Sequence, residues 1–538
     1  MIILNFLQTL VLIAFVISSV MIMYNDRHTK LGVVVKENDF IYADGKQGLH
    51  TTIGRSPNLD VVLKERTVSR LQAIVSFNPL SKTFDLTEYG RIGNCKSGYS
   101  IANHDLKFSL TAQERCYEFG FVPLILTLLF IFLQGISMYI QVKHLLVLTP
   151  YILLIGYMLC CWLIRADRTP ITEAVMSILL TYYVECSLYL YEQDEILAEI
   201  SNTLLGVAVY VICSFVARGI LKFNTANAHQ HSNLRILAMV GIAFFIILNL
   251  ALANEISGAY NWISIAGISF QPSEIVKILY AFVLIAPVNK HFYSTSNIAI
   301  TLGTSVVCFL YALLIRDVGA LLLYAGLFGI SMLLQNRKLV YSIILFLSAF
   351  VGCKIVTMIS ATAASRLEGW FGESNTWFEA LTAAGAFDNP FDYGYQPIHA
   401  LVASFKNGGL FGNTSFDVLE NIEAANSDLA TALIAQRHGF ITLFLILGVY
   451  LVLLLNTYFT LQQKDKVQQI FSVTGMSLAI LAMTLNLCGS HGLIPLTGIV
   501  TPFISSGISA AIPYGMLGGI LSSTILTKPY LEQIRKGV

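Results

Sequence analysis

The chain has 538 residues, 55% of them hydrophobic and 12% charged, about half the charged share of an ordinary soluble domain. A net charge of +1 gives no electrostatic reason to bind nucleic acid, and a mean hydropathy of +0.68 excludes a water-soluble globule throughout. The nine cysteines form no C-x-x-C pair; Cys160, Cys161, Cys186, Cys213, Cys308, Cys353 and Cys488 lie in or beside apolar runs as small hydrophobes, so neither disulfides nor zinc are expected. His229 and His231 flank Gln230 in a polar loop, and no metal site is expected there.

A membrane-spanning helix needs about 20 apolar residues. Ile2 to Met23 supplies the first such run, with no basic segment before it and no small-residue cleavage site, so it reads as an anchor (residues 1–30) and not a signal peptide. A polar segment follows at 31–118. Apolar spans then resume near 120–140, 145–165, 172–192, 200–221, 235–252, 273–288, 298–315, 318–335 and 338–358. A second polar stretch, 360–427, precedes three more near 430–456, 467–488 and 503–527. The expected total is about 13 spanning helices.

Loop charges give the orientation. Arg27 and Lys30 follow the first span, and alternation from an outside N-terminus then collects Arg165, Arg168, Arg218, Lys222, Arg235, Lys290, Arg337, Lys338, Lys464, Lys466 and the tail residues Lys528, Arg535 and Lys536 on one side. The opposite loops around 191–200, 253–271 and 490–501 contain no Lys or Arg. The positive-inside rule makes the basic side cytoplasmic, which puts 31–118 and the C-terminus inside and the 360–427 loop outside.

Segment 31–118 reads as short strands between turn residues, for example Asp60-Val61-Val62-Leu63 and Ala73-Ile74-Val75-Ser76-Phe77, an all-β sandwich pattern. Gly54-Arg55-Ser56-Pro57-Asn58-Leu59-Asp60-Val61-Val62-Leu63, followed by Val68-Ser69-Arg70-Leu71-Gln72-Ala73, resembles the forkhead-associated (FHA) domain. FHA domains read phosphothreonine. The resemblance implies that Arg55 and Ser69 hold the phosphate, with Arg70 nearby, because a phosphate wants forked cationic donors and hydroxyls. Gln72 stands where the family has histidine, and Asp85-Leu86-Thr87-Glu88 stands in place of its S-x-N-G.

Further along, Asn261-Trp262-Ile263-Ser264-Ile265-Ala266-Gly267-Ile268-Ser269-Phe270-Gln271-Pro272-Ser273-Glu274-Ile275-Val276-Lys277 resembles the W-I-x-L-G-x-x-x-F-Q-P-S-E-x-x-K signature of the SEDS family, the FtsW/RodA/SpoVE group. Glu274 and Lys277 lie three apart, neighbours on one helix face. Arg316-Asp317-Val318-Gly319 resembles Q-P-D-L-G; Gly394-Tyr395-Gln396 and Gly408-Gly409-Leu410-Phe411-Gly412 resemble G-Y-Q and G-G-L-x-G; Asn426-Ser427-Asp428 stands for H-T-D. Gly492-Leu493-Ile494-Pro495-Leu496-Thr497-Gly498-Ile499 and Pro502-Phe503-Ile504-Ser505-Ser506-Gly507 resemble the last two family motifs. The implied organisation is an all-α polytopic membrane protein with about 13 helices, about ten of them a SEDS-like core at 169–538, two extra helices at 119–168, and a cytoplasmic FHA-like sandwich.

The resemblance also implies a reaction. SEDS proteins polymerise lipid II, an undecaprenyl-pyrophosphate-linked substrate, beside a class B penicillin-binding transpeptidase in bacterial cell-wall synthesis. A carboxylate takes a proton from the acceptor hydroxyl, and cations or a divalent metal (Mg or Mn) balance the leaving pyrophosphate. The family's aspartate position is Asn389 here, so Asp388 is the candidate base, with Glu274 and Lys277 in support. Gln271, Asp317, Arg366, Gln396 and Lys406 are the candidate substrate contacts. Ala435-Gln436-Arg437-His438-Gly439 replaces G-E-E-L-G, removing two acids. Three readings stay open: a glycosyltransferase regulated by a phosphothreonine protein of a Ser/Thr kinase pathway, an inactive scaffold for a transpeptidase, and a transporter of a lipid-linked precursor.

Overall fold

The computed structural model describes residues 2–28, strands and one turn within 31–110, then 121–165, 170–188, 196–224, 231–256, 259–265, 268–285, 295–336, 395–413, 425–460 and 466–522, with isolated residues between 343 and 358 and at 419 and 422. Arg366, Asp388, Asn389 and Asp392 lie outside the described residues, as does most of the span expected at 338–358.

Helix α1 (Ile2–His28) is mostly apolar up to Met23, with no Gly or Pro to break it. Among the described residues nine strands follow: β1 (Leu31–Lys36), β2 (Asp39–Ile41), β3 (His50–Gly54), β4 (Val61–Val62), β5 (Ala73–Asn78), β6 (Thr83–Glu88), β7 (Arg91–Cys95), β8 (Gly98–Ile101) and β9 (His104–Leu110). They form two sheets, in the orders β2-β1-β9-β8 and β4-β3-β5-β6-β7, antiparallel except for β3 with β4. The alternation Ala73, Val75 on β5 puts both side chains on the buried face, with Ile53 of β3.

Three helices come next. α2 (Val122–Val142) starts with Pro123 in its first turn, where a missing N–H is harmless. A 3₁₀ turn at Leu145–Leu148 runs directly into α3 (Thr149–Arg165), and together they make the span expected at 145–165. α4 (Ile171–Ser187) is buried at every residue from Ile171 to Cys186, an axis around which the other helices stand.

The remaining elements are α5 (Ile196–Asn224), α6 (His231–Leu252), β10 (Asn254–Ile256), β11 (Ala259–Ile265), β12 (Ile268–Phe270), α7 (Pro272–Ile285), α8 (Thr295–Leu314) and α9 (Val318–Asn336). After them come α10 (Tyr395–Leu401), a π-helical segment at Val402–Gly408, α11 (Ala430–Thr460), α12 (Lys466–Ser490) and α13 (Ile508–Ser522). Thus the stretch expected as a loop at 360–427 carries helix in its described part.

Among the described residues, seven helices are long and apolar enough to cross a membrane, and Ile300–Leu314, Val318–Ser331 and Ile508–Ser522 are shorter apolar helices. Lipid leaves no water for unpaired backbone groups, which is why these runs are helical. Their outward faces are apolar, as with Leu237, Phe244 and Ile247 of α6, each more than half exposed. The chain is a multi-pass membrane bundle.

The helices before α4 are stitched to those after it by buried polar groups. Gln8 of α1 donates to Gln134 of α2 at 3.3 Å, and Asn5 donates to the Arg437 carbonyl of α11 at 3.3 Å. At the other end of α4, Glu173 (fully buried) meets Arg218 of α5 at 3.1 Å, and Arg218 also donates to the Tyr157 hydroxyl of α3 at 2.9 Å.

Candidate functional site

The signature segment ends by opening α7. Pro272 takes the first helical position, and Glu274 and Lys277 follow on one face. Their side chains meet at 2.5 Å and are each 4% exposed. Glu274 also lies in the first turn, where the helix dipole favours a negative charge. The charges of Asp317 and Asp428 act on the same ammonium.

Ahead of α7 the chain makes a feature the sequence reading missed. β11 pairs antiparallel with β10 and β12, and Ile265 opposite Ile268 leaves two residues between β11 and β12. The alternation Ile263, Ser264, Ile265 before Ala-Gly was the available signal. The hairpin is sewn to the α8–α9 turn. Tyr260 N donates to the Ile315 carbonyl at 3.1 Å, Arg316 lies 5.2 Å over the Tyr260 ring, and Asn261 Nδ2 donates to Asp317 Oδ2 at 3.2 Å. Asp317 Oδ1 accepts from Ala320 N at 2.8 Å, which caps α9. Both oxygens of this candidate substrate contact therefore already have donors from the chain. Gly319 must be glycine, because a Cβ there would collide with the Thr497 carbonyl.

The Asn426–Asp428 segment is held by the last two motifs. Ser505 Oγ donates to the Ser427 carbonyl at 2.6 Å and Ser506 N to the Asn426 carbonyl at 3.0 Å. Asn486 Nδ2 bridges the Asp428 and Ile499 carbonyls at 2.8 and 2.6 Å. Gln271 N donates to Ser509 Oγ at 3.3 Å. Signature residues separated by more than 200 positions thus gather where α7, α9, α11 and α13 begin and α12 ends.

The run expected as one span at 430–456 is broken. Gly439 has φ +82° and ψ 170°, a conformation open only to glycine. Into the break fits 408–412: Phe440 N donates to the Gly409 carbonyl at 2.9 Å and Asn413 N to the Gln436 carbonyl at 2.7 Å. Beside it, Glu185 of α4 meets His438 at 2.8 Å and Arg437 at 3.4 Å, and Arg437 donates to Gln141 of α2 at 2.8 Å. Arg437, which with Gln436 stands where the family has its two acids, therefore shares the Glu185 carboxylate with His438. Lys406 is exposed on the π-helical segment and Gln396 is half-buried on α10; Arg366 and Asp388 lie outside the described residues.

His491, which the sequence reading passed over, stacks near Phe405 and Phe440 (ring centroids 6.2 and 6.1 Å). Its Nδ1 lies 3.0 Å from the Leu487 carbonyl, and among the described residues its buried Nε2 has no hydrogen-bond partner. Burial holds this imidazole below its usual range, hence neutral.

In the N-terminal sheets, Arg55 N donates to the Ser69 carbonyl at 2.9 Å, which brings two predicted phosphate-binding residues side by side. Arg55 and Arg70 are exposed and Ser69 is half-buried. Gln72 has its own use: its Oε1 accepts from Ser69 N at 2.9 Å, and its N donates to the Ile53 carbonyl at 2.8 Å. No three His, Cys, Asp or Glu side chains gather as metal donors among the described residues.

The chain is similar to several known proteins. It is 27% identical over 322 residues to the "Probable peptidoglycan glycosyltransferase FtsW" of Borreliella burgdorferi, covering 58% of this chain and 84% of that protein. With the "Peptidoglycan glycosyltransferase RodA" of Mycobacterium tuberculosis it shares 27% over 333 residues, covering 60% and 68%. Among solved structures, a chain of a peptidoglycan synthase complex matches with a TM-score of 0.46 and 19% identity, covering 65% of this chain and 95% of that one. The rod shape determining protein RodA of Thermus thermophilus matches at 0.43 and 16%, covering 66% and 93%. The family model described as "Cell cycle protein", FtsW/RodA/SpoVE, matches residues 168–528, well over half of the sequence. The chain belongs to the FtsW/RodA/SpoVE family of cell cycle proteins.

Proposed function

We propose that this protein is a membrane glycosyltransferase that polymerises lipid II for a bacterial cell wall. What carries the reading is the gathering of Asn261, Glu274, Lys277, Asp317 and Asp428 at one end of the bundle, in a chain whose relatives carry peptidoglycan glycosyltransferase names. In this reading the end lies at the outer membrane face, as loop charges imply. An acceptor sugar hydroxyl attacks the anomeric carbon, its proton passes to the Asp388 carboxylate, and the lipid pyrophosphate leaves. Lys406, exposed on the π-helical segment, and Arg366 meet the pyrophosphate. Glu274 and Lys277 are sealed away from solvent and act as a positioning pair beneath the site.

The N-terminal sheets are proposed as a cytoplasmic FHA domain that docks a phosphothreonine protein on Arg55, Ser69 and Arg70. The Arg55–Ser69 pairing supports this. The full chain in detergent is expected to bind phosphothreonine peptides from a library and to lose them in Arg55→Ala, with weaker binding in high salt. A library without one phosphate-dependent ligand would overturn the assignment. The proposed partner at the outer face is a class B penicillin-binding transpeptidase.

A second reading, an inactive scaffold for that transpeptidase, draws on one observation: Arg437, standing where the family has an acid, is committed to Glu185. Lipid II polymerisation by the purified protein with its transpeptidase separates the two. Asp388→Asn is expected to lower the rate by about 10²- to 10⁴-fold, the usual weight of a general base. An unchanged rate removes Asp388 from the mechanism. An inactive natural chain that gains activity on Asn389→Asp favours the scaffold.

A further inference from the structure

The helices ahead of the family-matched segment 168–528 close on one point within it. α1 lies along α11: Asn5 Nδ2 donates to the Arg437 carbonyl at 3.3 Å, Thr9 Oγ1 is 3.4 Å from Thr442 Oγ1, and a Cβ at Gly448 would stand 3.6 Å from the Val16 side chain. The paired positions rise together, so the two helices run parallel. α2 reaches the same arginine from another side, its Gln141 Oε1 accepting from Arg437 Nη2 at 2.8 Å. α1 and α2 are themselves joined through Gln8 and Gln134. An acid at 437, as in the family, would face the Glu185 carboxylate; the arginine instead serves Glu185 and α2 together. Two residues on, Gly439 opens the break that receives 408–412.

The other ends of α1 and α2 meet the N-terminal sheets. α1 ends at His28, three positions before β1 begins at Leu31, which leaves little slack. β1 pairs with β9, the strand that precedes α2, and Leu31 lies opposite Leu110. The chain therefore leaves α1 and heads back toward α2 on adjacent strands. From Asn5 to His28, α1 spans about 35 Å at 1.5 Å per residue. A helix of that length is a stiff element, and it is tied to a sheet at one end and to Arg437 at the other.

We propose that α1 and α2 form a transmembrane lever by which the N-terminal sheets set how firmly 408–412 sits in the Gly439 break. Lys406 lies on the π-helical segment that leads into 408–412. A partner docked on the sheets would thus adjust the glycosyl-transfer site on the opposite face, a last step that rests on the function proposed above. The test is hydrogen–deuterium exchange of the full chain in nanodiscs. It is read on peptides containing Asn413 and Phe440, whose amides close the break, and on one containing Ala320 as a control. Val75→Asp puts a charge into the core of the sheets, where Val75 is fully buried. Exchange at the break is expected to rise about two- to tenfold, the net weight of one hydrogen bond, with Ala320 unchanged. Asn5→Leu with Gln141→Leu removes both hydrogen bonds to Arg437 and should do the same, and Val75→Asp should add nothing to it. Unchanged exchange at the break in Val75→Asp, an equal rise at Ala320, or additive effects would overturn the lever. Coupling is reciprocal, so the Asn5→Leu, Gln141→Leu protein should also exchange faster in β5. That measurement decides the matter where Val75→Asp does not fold: an unchanged β5 overturns the lever. Neither polymerisation nor phosphate binding is read, so the result stands whether or not the proposed function does.

Discussion

Lys277 is 3% exposed and has Glu274 at 2.5 Å, so neutralising one partner is unlike neutralising both. Glu274→Gln leaves an ammonium buried without its carboxylate, and thermal unfolding in detergent is expected to show a loss of about 3–5 kcal/mol. Adding Lys277→Met removes the stranded charge and should recover most of that stability. Polymerisation should stay low in the double variant, because the pair holds the site above it. Full activity there would reduce the pair to a brace. At this scale the sequence spoke clearly only over short spans. Two charges at i and i+3 on a helix must be neighbours, so the pair was legible. The bond from Asn261 to Asp317 joins positions 56 apart, and nothing local announces it. Arg437 reads in the sequence only as a missing acid and His438 carries no signal of its own; Glu185, which meets Arg437, comes from a helix 252 residues earlier.

Among elements, the break in α11 is the least expected. A glycine within an apolar run reads as a weak point at most, and only the docking of 408–412 turns Gly439 into a break. A Cβ at Gly439 would collide with the Leu410 carbonyl. Gly439→Ala is therefore expected to lower stability by about 1–3 kcal/mol from backbone strain alone, read as a fall in Tm. An unchanged Tm would mean that the break is not part of the folded protein. The hairpin β11–β12 differs, because its alternation was visible in Trp262–Ile265 and was outweighed by the expectation of a plain connection between spans. Among the N-terminal strands, β4 and β5 fall where Asp60–Leu63 and Ala73–Phe77 were expected.

For the whole molecule, hydropathy located α1, α2, α3 with its 3₁₀ start, α5, α6, α11 and α12 to within a few residues, because lipid enforces length and apolarity together. α4 was found as well, although it is shorter than a full span. Sidedness rests on loop charge, and it has a direct test. In a chain with its nine cysteines replaced, Ser374→Cys should react with an impermeant maleimide on intact cells, and Ser100→Cys should react only after lysis. Labelling of Ser100→Cys in intact cells would invert the arrangement.

The burial of α4 has a consequence for how the protein is made. At 17 residues and with a glutamate near each end, it is not among the helices long and apolar enough to cross a membrane unaided. Glu173 finds Arg218 soon after α4 is synthesised, but the Arg437 that meets Glu185 follows 252 residues later. At the ribosome's pace of about 5–20 residues per second, that gap lasts roughly 13–50 seconds. Through it, one end of the central helix carries an acid whose partners do not yet exist. The axis of the bundle is thus settled late in biogenesis, when α11 arrives, and the helices inserted before then assemble around a member still waiting for its counter-charge.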